Sequence, residues 1–158
     1  MTEAEANKAV VQQLWDALYE RHDFDEVGSL FAPDGFYCDM PHPERGATGP
    51  NEVAARLRLG LAKLSAHLHD VERLVAEGDT VVTEHTEHWH FPSGERVSLP
   101  FVSVHRLRDG RITLWRTTGT GTASWRGCRS GGSTTWRPAT AEPRNERAGP
   151  APGRGARW

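Results

Sequence analysis

Apolar residues recur at helical spacing through the first part of the chain and at alternate positions from about Ala66 onward, so helices are followed by strands. Val10 or Val11, Leu14, Ala17 and Leu18 form one apolar face of a helix near Ala4–Arg21. His22-Asp23 interrupts it, and Asp23 is placed to cap a short second helix carrying Phe24, Val27, Leu30 and Phe31. Pro33-Asp34-Gly35 predicts a turn, and Phe36–Met40 a short strand ended by Pro41 and Pro43. After a loop, Gly49-Pro50 opens a third helix with the stripe Val53, Leu57, Leu61 and Leu64. Four strands then follow: Ala66–Ala76, Thr80–Phe91, Glu95–Leu107 and Arg111–Arg116. The turns between them are Glu77-Gly78-Asp79, Pro92-Ser93-Gly94 and Asp109-Gly110, the last a strong hairpin signal. This order predicts an α+β domain in which N-terminal helices pack over one side of a curved antiparallel sheet, enclosing a cone with one open mouth.

The Thr80–Phe91 strand carries the chemistry. Alternation places Val81, Thr83, His85, Glu87, Trp89 and Phe91 on one face, and Val82, Glu84, Thr86, His88 and His90 on the other. A strand that only built a core would not set His85 and Glu87 among apolar neighbours, because an unpaired buried charge is costly. Two titratable groups on an apolar surface are what the floor of a small-molecule pocket needs. The contrasting reading is a solvated face on which His85 and Glu87 pair. The His and Glu pattern also invites a metal, but alternation sends His88 and His90 away from His85 and Glu87; His67 and His69 could join one face, yet spacing fixes no Cys or second carboxylate beside them, so no metal is expected.

Composition changes the picture at the C-terminus. The 158 residues suit one domain, with 37% hydrophobic content and a formal charge of -2. From Thr117 to Trp158, 42 residues contain no Leu, Ile, Val, Met, Phe or Tyr, but 8 Gly, 4 Pro, 7 Arg, 7 Thr and 6 Ala. Such a segment has almost nothing to bury and is expected to be disordered, leaving residues 1–116 as the folded domain. Its 7 Arg against 2 Glu give +5, so residues 1–116, with 12 basic and 19 acidic residues, carry -7. Neither half suits nucleic acid: the tail lacks interleaved aromatics and the body is acidic. No apolar run approaches a membrane span, the polar N-terminus is not a signal peptide, and Cys38 and Cys128 lack metal-type spacing, which together point to the cytoplasm.

Three stretches, SLFAPDGFYCDMP (Ser29–Pro41), VVTEHTEHWHFPSGE (Val81–Glu95) and LPFVSVHRLRDGRITLWR (Leu99–Arg116), resemble the limonene-1,2-epoxide hydrolase and SnoaL-like branch of the nuclear transport factor 2-like superfamily. The resemblance covers roughly Asn7–Arg116 and implies that superfamily's cone fold. It also implies a cofactor-free acid–base site for small apolar molecules, of epoxide hydrolase or isomerase type. In the hydrolases a Tyr and an Asn hold a water, and an Arg bridges two Asp that act as base and acid. Tyr37 matches the Tyr, Asp39 stands for the Asn, and His85 and Glu87 stand for Arg and Asp. Thr117 occupies the place of the second Asp. One base shift accounts for that departure and for the tail together. Thr-Thr-Gly-Thr is encoded ACN ACN GGN ACN, and one base earlier the run reads NAC NAC NGG NAC, which can encode Asp-Tyr-Trp-Asp. The alternative is a genuine low-complexity extension.

The candidate catalytic set is therefore Tyr37, Asp39, His85 and Glu87, with Glu87 or Asp39 as base, His85 tuning it and Tyr37 donating a hydrogen bond. Trp89, Leu99, Phe101, Ser103 and Trp115 are the expected substrate-binding wall. The partner is a small apolar molecule, and no cofactor is called for. Arg56 and Arg58 fall off the apolar stripe and read as a solvated helix face. Val102 and Val104 suit a strand covered on both faces, and relatives of this fold pair through the outer face of the sheet, which implies a homodimer. A ligand-binding module without turnover, or an inactive truncated member, is the competing function.

Overall fold

The computed structural model describes residues 2–40 and 42–119. The chain divides into two units, Met1–Trp125 and Arg126–Trp158, and every described residue belongs to the first. Helix α1 (Glu3–Trp15) begins at a capping box in which Thr2 and Glu5 satisfy each other's backbone amides. It passes directly into a five-residue π-helix, Asp16–Glu20. The Asp23 side chain caps α2 (Phe24–Ser29) by accepting from the Glu26 amide. Strand β1 (Phe31–Met40) pairs with the short β2 (Ala47–Thr48), which hands the chain to α3 (Gly49–Leu61). Gly49 has φ +77°, a conformation that favours glycine, and Pro50 follows at the start of the helix.

The sheet is completed by β3 (Ala66–Glu77), β4 (Thr80–His90), β5 (Arg96–Arg108) and β6 (Arg111–Gly119), in the order β2-β1-β6-β5-β4-β3. Neighbours are antiparallel except β1 and β6, which run parallel. Asp109 and Gly110, at φ +53° and +70°, close the β5–β6 hairpin as the Asp-Gly signal requires. Helix faces and sheet share one core, in which Val11, Leu14, Val27, Phe31, Val53, Val81 and Ile112 are all fully buried. No described helix is long and apolar enough to cross a membrane.

Three local expectations change. Pro33-Asp34-Gly35 is an irregularity inside a longer β1 rather than a turn before it, with the register shifting between Phe31 and Phe36. Strand β2 falls inside the expected loop, because Phe36 and Tyr37 offer backbone partners to Thr48 and Ala47. Strand β6 runs past Arg116 to Gly119, because β1 on one side and β5 on the other still offer hydrogen bonds to Thr117 and Thr118. The tail expected to be disordered begins at Thr117; residues 117–119 are strand, and the rest, from Thr120 onward, lies outside the described residues.

Candidate active site

The inner face of β4 is as alternation requires. Val81, Thr83, His85 and Glu87 are buried and Trp89 half-buried. Cross-strand register sets each of them in a row: His69–Glu87–Leu99, and His85–Phe101–Gly119. The next row runs Thr83–Ser103–Thr117–Asp39. Four strands thus bring the candidate residues onto one concave surface.

Glu87 is only 8% exposed. The Trp89 indole N–H donates to its Oε2 at 2.8 Å, and the Tyr19 phenol is directed at the same carboxyl. Burial pushes the Glu87 pKa up to about 7, against the Tyr19 and Trp89 donors, which favour the ionised form, while the charge of Asp39 adds to the rise. Burial also holds the Tyr19 and Tyr37 phenols well above their ordinary range, with Glu87 the next cause at Tyr19 and Asp39 at Tyr37, so both remain hydrogen-bond donors.

Asp39 stands at the wetter side of this group. It accepts from the Tyr37 hydroxyl at 2.8 Å through Oδ1 and from the Arg56 guanidinium at 3.2 Å through Oδ2. Two carboxyl groups therefore share one site, one paired with a cation and one buried without one.

His85 does not pair with Glu87. Its Nδ1 lies 3.0 Å from His69 Nε2 and its Nε2 lies 2.9 Å from Ser103 Oγ. The side chain points into the core, where burial lowers its pKa to about 4. Ser103 is the hub of a buried polar chain. It also accepts from the Trp115 indole at 3.2 Å and lies 3.0 Å from Thr117 Oγ1. Trp115, at 2% exposed, belongs to the core beneath the site rather than to its wall. Leu99 and Phe101 are half-buried on the same face as Ser103, and the Phe101 ring lies over Gly119 so closely that a Cβ there would fall 2.6 Å from it.

Sequence reasoning missed Tyr19, weighed His69 only as a metal ligand, and placed Arg56 on a solvated face. Arg56 is not a solvated helix residue: its guanidinium reaches from α3 to Asp39 across 17 residues of chain, a contact that no local periodicity reveals. Tyr19 sits on the π-helix, whose extra residue per turn alters the direction expected from an α-helical face. Its ring stacks on His69 at 4.1 Å and 7°, so the His69–His85–Ser103 chain also fixes the phenol that meets Glu87. Arg58, by contrast, meets the exposed Asp25 and the Phe24 ring. His88 does face away from the site, bonded to Ser98 and Asp70.

A six-stranded sheet of this topology, with carboxyl, phenol and indole groups gathered on its inner face, fits a small-molecule binding or catalytic domain of the nuclear transport factor 2-like class. The sequence pattern of the SnoaL-like domain matches residues 11–115, and the chain belongs to that family. An LEH-like epoxide hydrolase from M. tuberculosis is 27% identical over 75% of this chain and 85% of its own, with a TM-score of 0.65. A Jannaschia sp. CCS1 protein described as a SnoaL-like polyketide cyclase is 20% identical over 76% of this chain and 89% of its own, with a TM-score of 0.67. A nuclear transport factor 2-like protein of unknown function from Burkholderia pseudomallei K96243 is 21% identical over 74% and 90%, with a TM-score of 0.65. These two share the fold. No curated protein sequence matches the chain.

Proposed function

We propose that this protein is a cofactor-free acid–base enzyme acting on a small apolar molecule with one polar centre, and that Glu87 is its general base. The observation that carries the reading is the buried Glu87 carboxyl with its pKa near neutrality, set beside the Tyr37–Asp39–Arg56 group. A base is most effective when its pKa lies near the working pH, because it is then both available and strong enough. The Trp89 and Tyr19 donors leave Glu87 an acceptor for one further proton. In the epoxide reading Glu87 takes a proton from water as the oxygen attacks the ring carbon. The ring C–O bond breaks, and the departing oxygen receives its proton from a donor on the Tyr37–Asp39–Arg56 side. Likeness to the M. tuberculosis epoxide hydrolase favours this over proton transfer beside a carbonyl, which needs the same base.

Hydration of a panel of small apolar epoxides, followed from pH 5 to 9, tests the proposal. The expected profile rises through about pH 7, and Glu87→Gln lowers kcat/KM by at least about 100-fold. Turnover that persists in Glu87→Gln removes Glu87 from the mechanism. A second reading, a ligand-binding module without turnover, is favoured by Thr117, whose hydroxyl offers no titratable group where the hydrolases carry a second Asp. Saturable ligand binding equal in wild type and Glu87→Gln, with no product from either, would select it.

A further inference from the structure

Away from Glu87, three donor atoms converge at the C-terminal end of the first helix. The Leu18 carbonyl oxygen lies 3.2 Å from His22 Nδ1 and 3.2 Å from His67 Nε2, and the two ring nitrogens lie 3.1 Å from each other. The Leu18 oxygen has two lone pairs and can accept from both rings, which sets the two N–H dipoles side by side across the 3.1 Å contact; where one ring nitrogen is bare, its lone pair faces the carbonyl oxygen. A cation at the centre would use all three atoms as ligands.

The backbone is arranged around the same point. The amides of Arg21 and Asp23 bond the carbonyls of Asp16 and Ala17, and so pass Leu18 by. That leaves a helix-terminal carbonyl, at the negative end of the helix dipole, aimed at the two imidazoles. His22 holds φ +54°, an uncommon conformation for a side-chain-bearing residue, and such strain gathers at functional sites. An ion about 2.1 Å from each donor, the usual distance for zinc and imidazole nitrogen, lies about 1 Å out of their plane. An open groove of about 250 Å³, lined by His22, Phe24, Leu61, Leu64 and His67 among others, leaves its remaining positions to water or an added ligand.

We propose that Leu18 O, His22 Nδ1 and His67 Nε2 form a binding site for a divalent cation of the imidazole-preferring class, Zn²⁺, Cu²⁺ or Ni²⁺. The pairing of His67 with His22 was invisible in the sequence because the two lie 45 residues apart, on a helix end and a strand. It stands apart from the acid–base reading of Glu87, so either can fail alone.

The test is calorimetric titration of the untagged, chelator-treated full chain with Zn²⁺, repeated on His22→Ala, His67→Ala, His88→Ala and Cys128→Ser. One Zn²⁺ per chain is expected at micromolar concentration. The affinity falls at least about tenfold in His22→Ala and His67→Ala and holds in the two controls. His22 is exposed, so its variant carries the result even if His67→Ala fails to fold. Co²⁺ in place of Zn²⁺ is expected to show visible bands without a thiolate charge-transfer band. Undiminished Zn²⁺ affinity in His22→Ala, loss of binding in either control, or no binding below the millimolar range would overturn the site.

Discussion

At Glu87, burial and hydrogen bonding pull in opposite directions, and burial wins. A carboxyl with its pKa at about 7 in the fold and near 4.5 in the unfolded chain has a definite effect on stability. Its contribution is full below about pH 4.5 and is lost as pH rises to about 7, because over that interval the folded state holds the proton more tightly. Glu87→Gln removes this loss, so the variant gains stability relative to wild type from pH 5 to 8, by an amount reaching roughly 3 kcal/mol. Urea titrations at several pH values measure it. Buried His69, His85 and His105, lowered to about 3, 4 and 3, act in the other direction: stability is full above their ordinary value of 6.5 and falls as pH drops through it. Three such groups against one carboxyl make the wild-type protein lose stability steeply below about pH 6. His105 has a further cost. Neither ring nitrogen is hydrogen-bonded, and the Val81 backbone across the strand lies close but out of geometry. His105→Leu, of similar volume, is expected to raise stability by about 1–2 kcal/mol, read as a higher urea midpoint at pH 7.

Among the elements, β4 was the most legible and the π-helix the least. A strand declares its faces by simple alternation, so the inward set from Val81 to Trp89 could be read directly, and with it the isolation of His88 and His90. The helices α2 and α3 were equally plain from Asp23 and Gly49-Pro50. What alternation could not supply was the partner of each inward group. His85 turned to His69 and Ser103 on the neighbouring strands, and Glu87 to Tyr19 on a helix far away in sequence. A π-turn has no clear signature in residue type, and so Tyr19 was overlooked. Its role gives an element-scale prediction. The Tyr19 hydroxyl acts to lower the Glu87 pKa, so Tyr19→Phe moves that pKa upward and shifts the rising limb of the pH–rate profile to higher pH. An unmoved limb would mean that the π-helix does not set the base.

For the whole molecule, two proposals concern what lies around the cone. Leu68, Val75 and Val102 stand 52%, 57% and 42% exposed on the outer face of the sheet. A homodimer through that face is expected, and sedimentation velocity should show Val102→Lys as a monomer. The second concerns the reading frame. The family pattern ends at residue 115, and past Arg116, at Thr117, begins the run in which one base shift would give Asp-Tyr-Trp-Asp. That restored Asp would fall at position 117, on the inner face between Ser103 and Asp39. Resequencing the codons from Trp115 to Thr120 decides it. A neighbouring frame that opens with Asp-Tyr-Trp-Asp and continues with apolar residues marks the tail as an accident. A frame without sense makes the tail part of the protein.

The proposed chemistry rests on Glu87, whose titration can be followed before any substrate is known. Carboxyl-carbon NMR of glutamate-labelled protein, with Glu87→Gln to assign the resonance, measures it directly. A titration centred near pH 7 is the predicted result, with the step absent in the variant. A Glu87 that titrates near 4.5, like a solvated carboxyl, would contradict both the buried site and the general base built on it.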